Sequence, residues 1–318
     1  MTELNITLPE NFLEGETRCD YYISPEMKKV WAVELDLFAE FDRVCKKYGI
    51  PYLADGGTAL GAVRHGGFIP WDDDLDVMLM REDYERFCQV APNEFREPYF
   101  FQTEYTDPGS FRGHAQLRNS NTTAILRTEA EDLYQFHQGI FIDIFPLDAM
   151  IGDKKLYAAQ RAEAMKLREK WKRQYRLTDK YNRIGGLKGR VRDVLHFLYQ
   201  GPLKFLADYD RTYRKYERVC QKYNHLETKY VGALSFTFDR RSEIRLREDM
   251  LETIDWDFEF MKIPVPKNYE HALTQVFGEW HEFVKGGSAH GDVFFDPDTP
   301  YTEYTSGRKP IVWPESEA

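Results

Sequence analysis

Long apolar runs are missing from these 318 residues. No stretch of about 18 or more apolar residues occurs, which argues against a membrane-spanning helix. The segment Met1 to Asp20 is polar and acidic and has no basic start followed by an apolar stretch, so no secretory signal is expected. Cysteine is scarce. The four present, Cys19, Cys45, Cys88 and Cys220, are scattered and form no Cys-x-x-Cys pair. That argues against a disulfide framework or a structural zinc site and fits a reducing, cytoplasmic setting. Repeats and low-complexity blocks are absent. Net positive charge is lacking too: 53 acidic against 43 basic residues give −10, which argues against a general nucleic-acid binder.

What is present suffices for an ordered core, with 42% hydrophobic and 15% aromatic residues. The charge is uneven. Between Lys154 and Arg218 stand 19 Lys and Arg against 7 Asp and Glu, a local balance of +12.

Apolar spacing of three and four predicts a helix over Pro25 to Tyr48, with Ser24 as N-cap and Gly49 as terminator. A short strand, Tyr52 to Ala54, leads into a Gly-rich segment, Asp55 to Gly67. Leu75 to Met80 reads as a strand and Arg81 to Val90 as a helix. Further strands are expected at Tyr99 to Thr103, Ala115 to Arg118, Thr122 to Leu126 and Ile140 to Phe145. Asp153 to Tyr223 reads as basic helices broken at Gly185-Gly186 and Gly201-Pro202. Tyr230 to Phe236 and Phe258 to Val265 read as extended, Asn268 to Trp280 as a helix, and the tail from Gly286 as irregular. The expected fold is α+β: a mixed sheet flanked by helices, with a long helical insertion. The expected division is a catalytic core (1–152), a basic helical insertion (153–225) and a segment completing the core (226–318).

The chemistry concentrates between Asp55 and Met78. Asp74 and Asp76 flank Leu75 at strand spacing, so their carboxylates project from one face, and Asp72 precedes them by two residues. Clustered carboxylates repel, and a hard cation such as Mg²⁺, or Mn²⁺, relieves that repulsion. Gly56-Gly57-Thr58 is a candidate phosphate cradle, because a Gly-Gly pair lets the backbone approach an anion at a helix start. Arg64 and His65 add cationic or donor groups. The competing reading, a solvated acidic run, is disfavoured by the flanking Phe68, Ile69, Trp71, Val77, Met78 and Leu79. An EF-hand is excluded by the missing Gly and Glu.

Asp143 is the one charge inside the apolar stretch Gly139 to Pro146. It is expected either beside Asp74 and Asp76, as a metal ligand or general base, or as a strand-end carboxylate bonding local amides. Asp148, after Pro146, reads as a turn residue. Arg118, Asn119, Thr122 and Thr123 form a polar cluster that reads as a donor contact or as a solvated hairpin. His290 reads as an exposed surface histidine.

These residues resemble the LicD family, which includes bacterial phosphocholine transferases and fukutin-type ribitol-phosphate transferases. The resemblance rests on Gly57-Thr-Ala-Leu-Gly61, Arg64-His-Gly-Gly-Phe-Ile-Pro-Trp-Asp-Asp-Asp-Leu-Asp76, Arg81-Glu-Asp-Tyr84 and Gly139-Ile-Phe-Ile-Asp-Ile-Phe-Pro-Leu-Asp148. A fainter echo is Ile263 to Tyr269 followed by Phe277-Gly278. It implies a nucleotidyltransferase-like fold and CDP-linked donors with CMP as leaving group. Asp72, Asp74 and Asp76 would bind metal, with Asp143 as the distal acid. Gly56, Gly57 and Thr58 would hold donor phosphates, and Arg64 would help neutralise them.

The expected activity is transfer of a phospho-alcohol, phosphocholine first, to a hydroxyl of a glycan or lipid-linked glycan. The basic, aromatic-rich insertion fits either a peripheral contact with anionic membrane at its inner face or a solvated helical hairpin. Two rivals remain: a metal-dependent glycosyltransferase using a nucleotide-sugar, and a non-catalytic calcium- or polyanion-binding protein.

Overall fold

The structure, a computed structural model, describes residues 2–131, 136–178, 191, 194, 197–198, 201–203, 208–238, 244–285 and 292–313. A small hairpin of β1 (Glu16–Arg18) and β2 (Tyr21–Ile23) precedes the first helix. That helix, α1 (Pro25–Tyr48), starts and stops where the local chemistry requires. The Ser24 hydroxyl accepts from Met27 N, and Gly49 closes the helix at φ +59°. Its apolar face is fully buried: Trp31, Leu35, Phe38 and Phe41 have no exposed surface. Burying side chains of this size stabilises by about 1.5–3 kcal/mol each.

The central sheet has seven strands. β4 (Asp76–Met80) and β8 (Phe141–Met150) run parallel at its centre, and β3 (Leu53–Ala54) pairs antiparallel with β4. The other side of β8 is shared. Its first half pairs with β6 (Ala115–Asn119), itself paired with β5 (Tyr99–Gln102), and its last three residues pair with β9 (Tyr230–Gly232). β10 (Ile244–Leu246) lies beyond β9. Helices α2 (Gly56–His65) and α3 (Arg81–Glu94) flank β4 in sequence. The fold is therefore α+β with a mixed sheet.

Several expectations need correction. β8 does not stop at Phe145 but continues through Pro146 to Met150, and Asp148 is a fully buried strand residue, not a turn. Its charge is matched by Arg81, which donates to it twice, at 2.8 and 2.7 Å. Phe258 to Val265 is not one extended run. It straddles the turn of a hairpin between β11 (Thr253–Phe258) and β12 (Met261–Pro266), where Glu259 adopts φ +53°.

The tail is not wholly irregular. β13 (Val293–Asp296) pairs with β7 (Thr123–Leu126), which the short helix α4 (Arg127–Glu131) follows, and the tail itself carries a short helix at Tyr301–Thr305. β13 takes its partner from 170 residues upstream by register, Val293 with Leu126 through Asp296 with Thr123, a pairing that no local pattern announces.

Within the basic insertion, α5 (Lys154–Thr178) packs against α6 (Tyr209–Cys220) around Trp171, Tyr213 and Tyr216. The expected break at Gly185-Gly186 and the expected surface His290 lie outside the described residues. The helix expected over Asn268 to Trp280 forms as α7 (Tyr269–Phe277). No helix among the described residues is long and apolar enough to cross a membrane.

Candidate active site

The site is assembled at the start of α2 and the start of β4. β3 ends at Ala54, Asp55 is extended, and α2 begins at Gly56 with φ +50°, a conformation a side chain resists. Asp55 occupies the N-cap position but its carboxylate does not cap. It is held by Arg245 of β10, at 2.8 Å to Nε and 2.5 Å to Nη2. The first amides of a helix have no intrahelical acceptor, so an unblocked start of this kind favours an anion. Thr58 ties this start to the acidic strand, its hydroxyl accepting from Asp76 N at 2.8 Å.

The carboxylates crowd against the two glycines. One carboxylate atom from each of Asp72, Asp73 and Asp74 lies within 4.8 Å of the others, so Asp73, which the sequence reading left out, belongs to this tight group and Asp76 does not. Asp76 opens β4 and stands opposite Asp143 of β8 in register. One Asp76 oxygen, Oδ1, is buried without a hydrogen-bond partner. Burial, then the charges of Asp74, Asp143, Asp55 and Asp72, push the Asp76 carboxyl well above its usual range. A side chain on Gly57 would begin 2.5 Å from Asp72 Oδ2, and one on Gly56 would begin 3.8 Å from Asp76 Oδ2. The anion-favouring helix start and the acids therefore share one volume. A cation would reconcile the two, and an all-oxygen donor set with an orphaned carboxylate atom fits a hard divalent ion.

Asp143 is held in place by side chains that the sequence did not single out. Gln116 Nε2 donates to Asp143 Oδ1 at 2.6 Å, and His114 Nε2 lies 2.9 Å from the same oxygen. Gln116 lies on β6 and His114 immediately precedes that strand, and both reach the same carboxylate oxygen. Burial lowers the His114 pKa, outweighing the opposite pull of Asp143. Arg118 continues the chain. Its Nη2 donates to Gln116 Oε1 at 2.6 Å, its Nε to Gln102 Oε1 at 2.6 Å and its Nη1 to Gly139 O at 2.7 Å.

Arg118 thus reaches the acids only through Gln116. Neither it nor Thr122 forms a solvated hairpin, since both are completely buried. Thr122 Oγ1 accepts from Ile140 N and donates to Asn119 O, which joins the β6–β7 turn to the start of β8.

Arg64 and His65 are not brought to the cradle. They occupy the last turn of α2, about 12 Å along the axis from Gly56. Arg64 donates to the carbonyls of Trp280 and Glu282, and His65 packs edge-on to Phe283. Burial and the neighbouring Arg64 lower the His65 pKa to about 4. Both fasten α2 to the segment after α7.

The mixed sheet of this α+β fold thus sets clustered carboxylates beside a Gly-Gly helix start. Residues 49–176 match the family described as LicD/FKTN/FKRP, nucleotidyltransferase domain. That stretch, 128 of the 318 residues, is similar to LicD-family domains. The chain is 27% identical over 250 residues to the lipopolysaccharide cholinephosphotransferase LicD of Haemophilus influenzae, which covers 77% of this chain and 88% of that protein. A shorter match, 48% identical over 40 residues, is to the ribitol 5-phosphate transferase FKRP of human, covering 13% of this chain and 8% of that protein. The mouse protein matches to the same extent.

Proposed function

We propose that this protein transfers a phospho-alcohol group, phosphocholine first, from a CDP-linked donor to a hydroxyl of a cell-surface glycan, releasing CMP with the help of Mg²⁺. The observation that carries this reading is the approach of the Asp72 carboxylate to Gly57 in the first turn of α2, 2.5 Å from where a side chain there would begin. Phosphate and acid can share that volume only through a cation. Phosphocholine is favoured over ribitol phosphate because the choline-phosphate transferase match spans most of the chain, whereas the ribitol-phosphate match spans 13% of it.

Asp72, Asp74 and Asp76 would hold the cation, with Asp143 beside them, and Mn²⁺ would serve as a substitute. Bound there, the ion supplies charge neutralisation for the diphosphate and the departing CMP. The Gly56-Gly57 helix start would orient the donor phosphates. The acceptor oxygen forms a bond to the β-phosphorus as the bond from that phosphorus to the bridging oxygen breaks, and CMP leaves with the bridging oxygen. Asp143 would take the hydroxyl proton, because Gln116 and His114 fix one of its oxygens and so its orientation.

The test is CMP release from CDP-choline, CDP-ethanolamine, CDP-ribitol, CDP-glycerol and UDP-sugars in the presence of a glycan acceptor, with Mg²⁺ or EDTA. EDTA-sensitive CMP release from one CDP donor is expected. UMP or UDP release from sugars alone would replace the proposal with a glycosyltransferase.

A further inference from the structure

A sixth acidic residue, after Asp72, Asp73, Asp74, Asp76 and Asp143, faces the same cluster from a different element. Glu34 lies on α1, three residues after Trp31, and so on the same face of the helix one turn on. Trp31 fixes where that face points. Its Nε1 donates to Asp72 O at 3.1 Å, and its ring stacks on Phe68 at 4.7 Å. Glu34 is 1% exposed, and its Oε2 is buried with no hydrogen-bond partner. Burial, followed by the charges of Asp74, Asp73, Asp72 and Asp143, drives its carboxyl well above the usual range.

The contrast with the other buried acid of the helix is informative. Asp36, fully buried two residues on, accepts from Asn5 N at 2.7 Å, Ile6 N at 3.1 Å and Tyr99 Oη at 2.7 Å. Lys28, also buried, meets Glu16 at 2.6 Å. The helix therefore satisfies its structural charges and leaves Glu34, the one turned to the aspartates, with an orphaned oxygen. A buried carboxyl without a partner costs several kcal/mol unless something supplies one. A structural role would call for a donor; the neighbours are carboxylates.

We propose that Glu34 is a ligand of the cation site, contributing its carboxylate oxygen from α1 to the divalent ion of the aspartate cluster. This rests on the cation reading of the site given above. Such a ligand couples α1 to cation binding. A ligand kept unpaired in the empty protein lowers the stability of that form and is released from the strain when the ion enters.

The test uses the full chain and Mn²⁺ as probe, with affinity from isothermal titration or electron paramagnetic resonance. Wild type, Glu34→Gln and Asp74→Asn are compared, and melting temperature is recorded with and without Mg²⁺. Glu34→Gln keeps the volume and removes the charge. The expected result is Mn²⁺ affinity weaker by about tenfold or more, a higher melting temperature in EDTA, and a smaller rise on adding Mg²⁺. Glu34→Asp, which keeps the charge but draws it back by one methylene, is expected to fall between.

Affinity within about twofold of wild type in Glu34→Gln, alongside loss of binding in Asp74→Asn, overturns the role of Glu34 and leaves the cation site standing. A Glu34→Gln protein that fails to fold in EDTA also overturns it, since the carboxyl would then be a structural support. Wild type that binds no Mn²⁺ overturns both readings.

Discussion

The carboxylate of Asp72 fills the space in which a side chain on Gly57 would begin, 2.5 Å from that Cβ position. Gly57 is therefore needed for what stands beside it, since its own φ is not in the left-handed region. Gly57→Ala should displace the Asp72 carboxylate while leaving the helix intact or slightly firmer. Activity is expected to drop about 10- to 100-fold with little change in melting temperature. Wild-type turnover in Gly57→Ala would show that Asp72 is free to move without consequence.

Arg81 and Asp148 form a bidentate pair that is almost wholly removed from water, with Asn224 donating to the same carboxylate at 2.8 Å. Removing one partner strands the other charge. Asp148→Ala is expected to cost about 3–5 kcal/mol of unfolding free energy, read from urea denaturation. The double variant Arg81→Met, Asp148→Leu should lose markedly less than the sum of the two single changes. Additive losses would mean the two side chains act independently.

Glu104 anchors the insertion, accepting from Trp171 Nε1, the amides of Gly109 and Phe111 and the Ser110 hydroxyl. Burial outweighs these donors and raises its pKa from 4.5 to about 7. The folded state therefore binds this proton more tightly than the unfolded chain. The stabilisation is complete below about pH 4.5 and is lost as pH rises to about 7. Between pH 5 and 8 the wild-type urea midpoint should fall relative to that of Glu104→Gln. At pH 7 the gap should be about 1–3 kcal/mol. Parallel pH profiles would rule out Glu104 as the titrating group.

Local rules made much of this protein legible. Ser24, Pro25 and Gly49 bound α1 in the sequence as they do in the fold, because capping is decided by neighbours. The strand at Asp76 and the Gly-Gly helix start followed from pattern alone. What escaped were relationships set by distant partners. Asp148 looked like a turn residue because Pro146 precedes it, but Arg81 and Asn224 make its burial tolerable.

Arg64 looked like a phosphate ligand because it follows the glycines. Eight residues of helix carry it away from them, and the carbonyls of Trp280 and Glu282 claim it. Glu34 lies in the middle of an amphipathic helix, and only the tertiary contact of Trp31 with Asp72 turns its face to the acids. His114 and Gln116 had a weak signal, two polar side chains at strand spacing, which gained meaning only from the register of β6 on β8.

The pairing of Asp55 with Arg245 spans 190 residues, so the front half of the chain leaves the ribosome with every aspartate of the motif and without the arginine that restrains the helix start. At roughly 5–20 residues per second, the wait is on the order of 10–40 s. β13 reaches β7 later still. Throughout that interval the Asp55 carboxylate lacks the guanidinium that holds it in the folded protein. Maturation of the centre is thereby timed by completion of the C-terminal strands rather than by appearance of the motif.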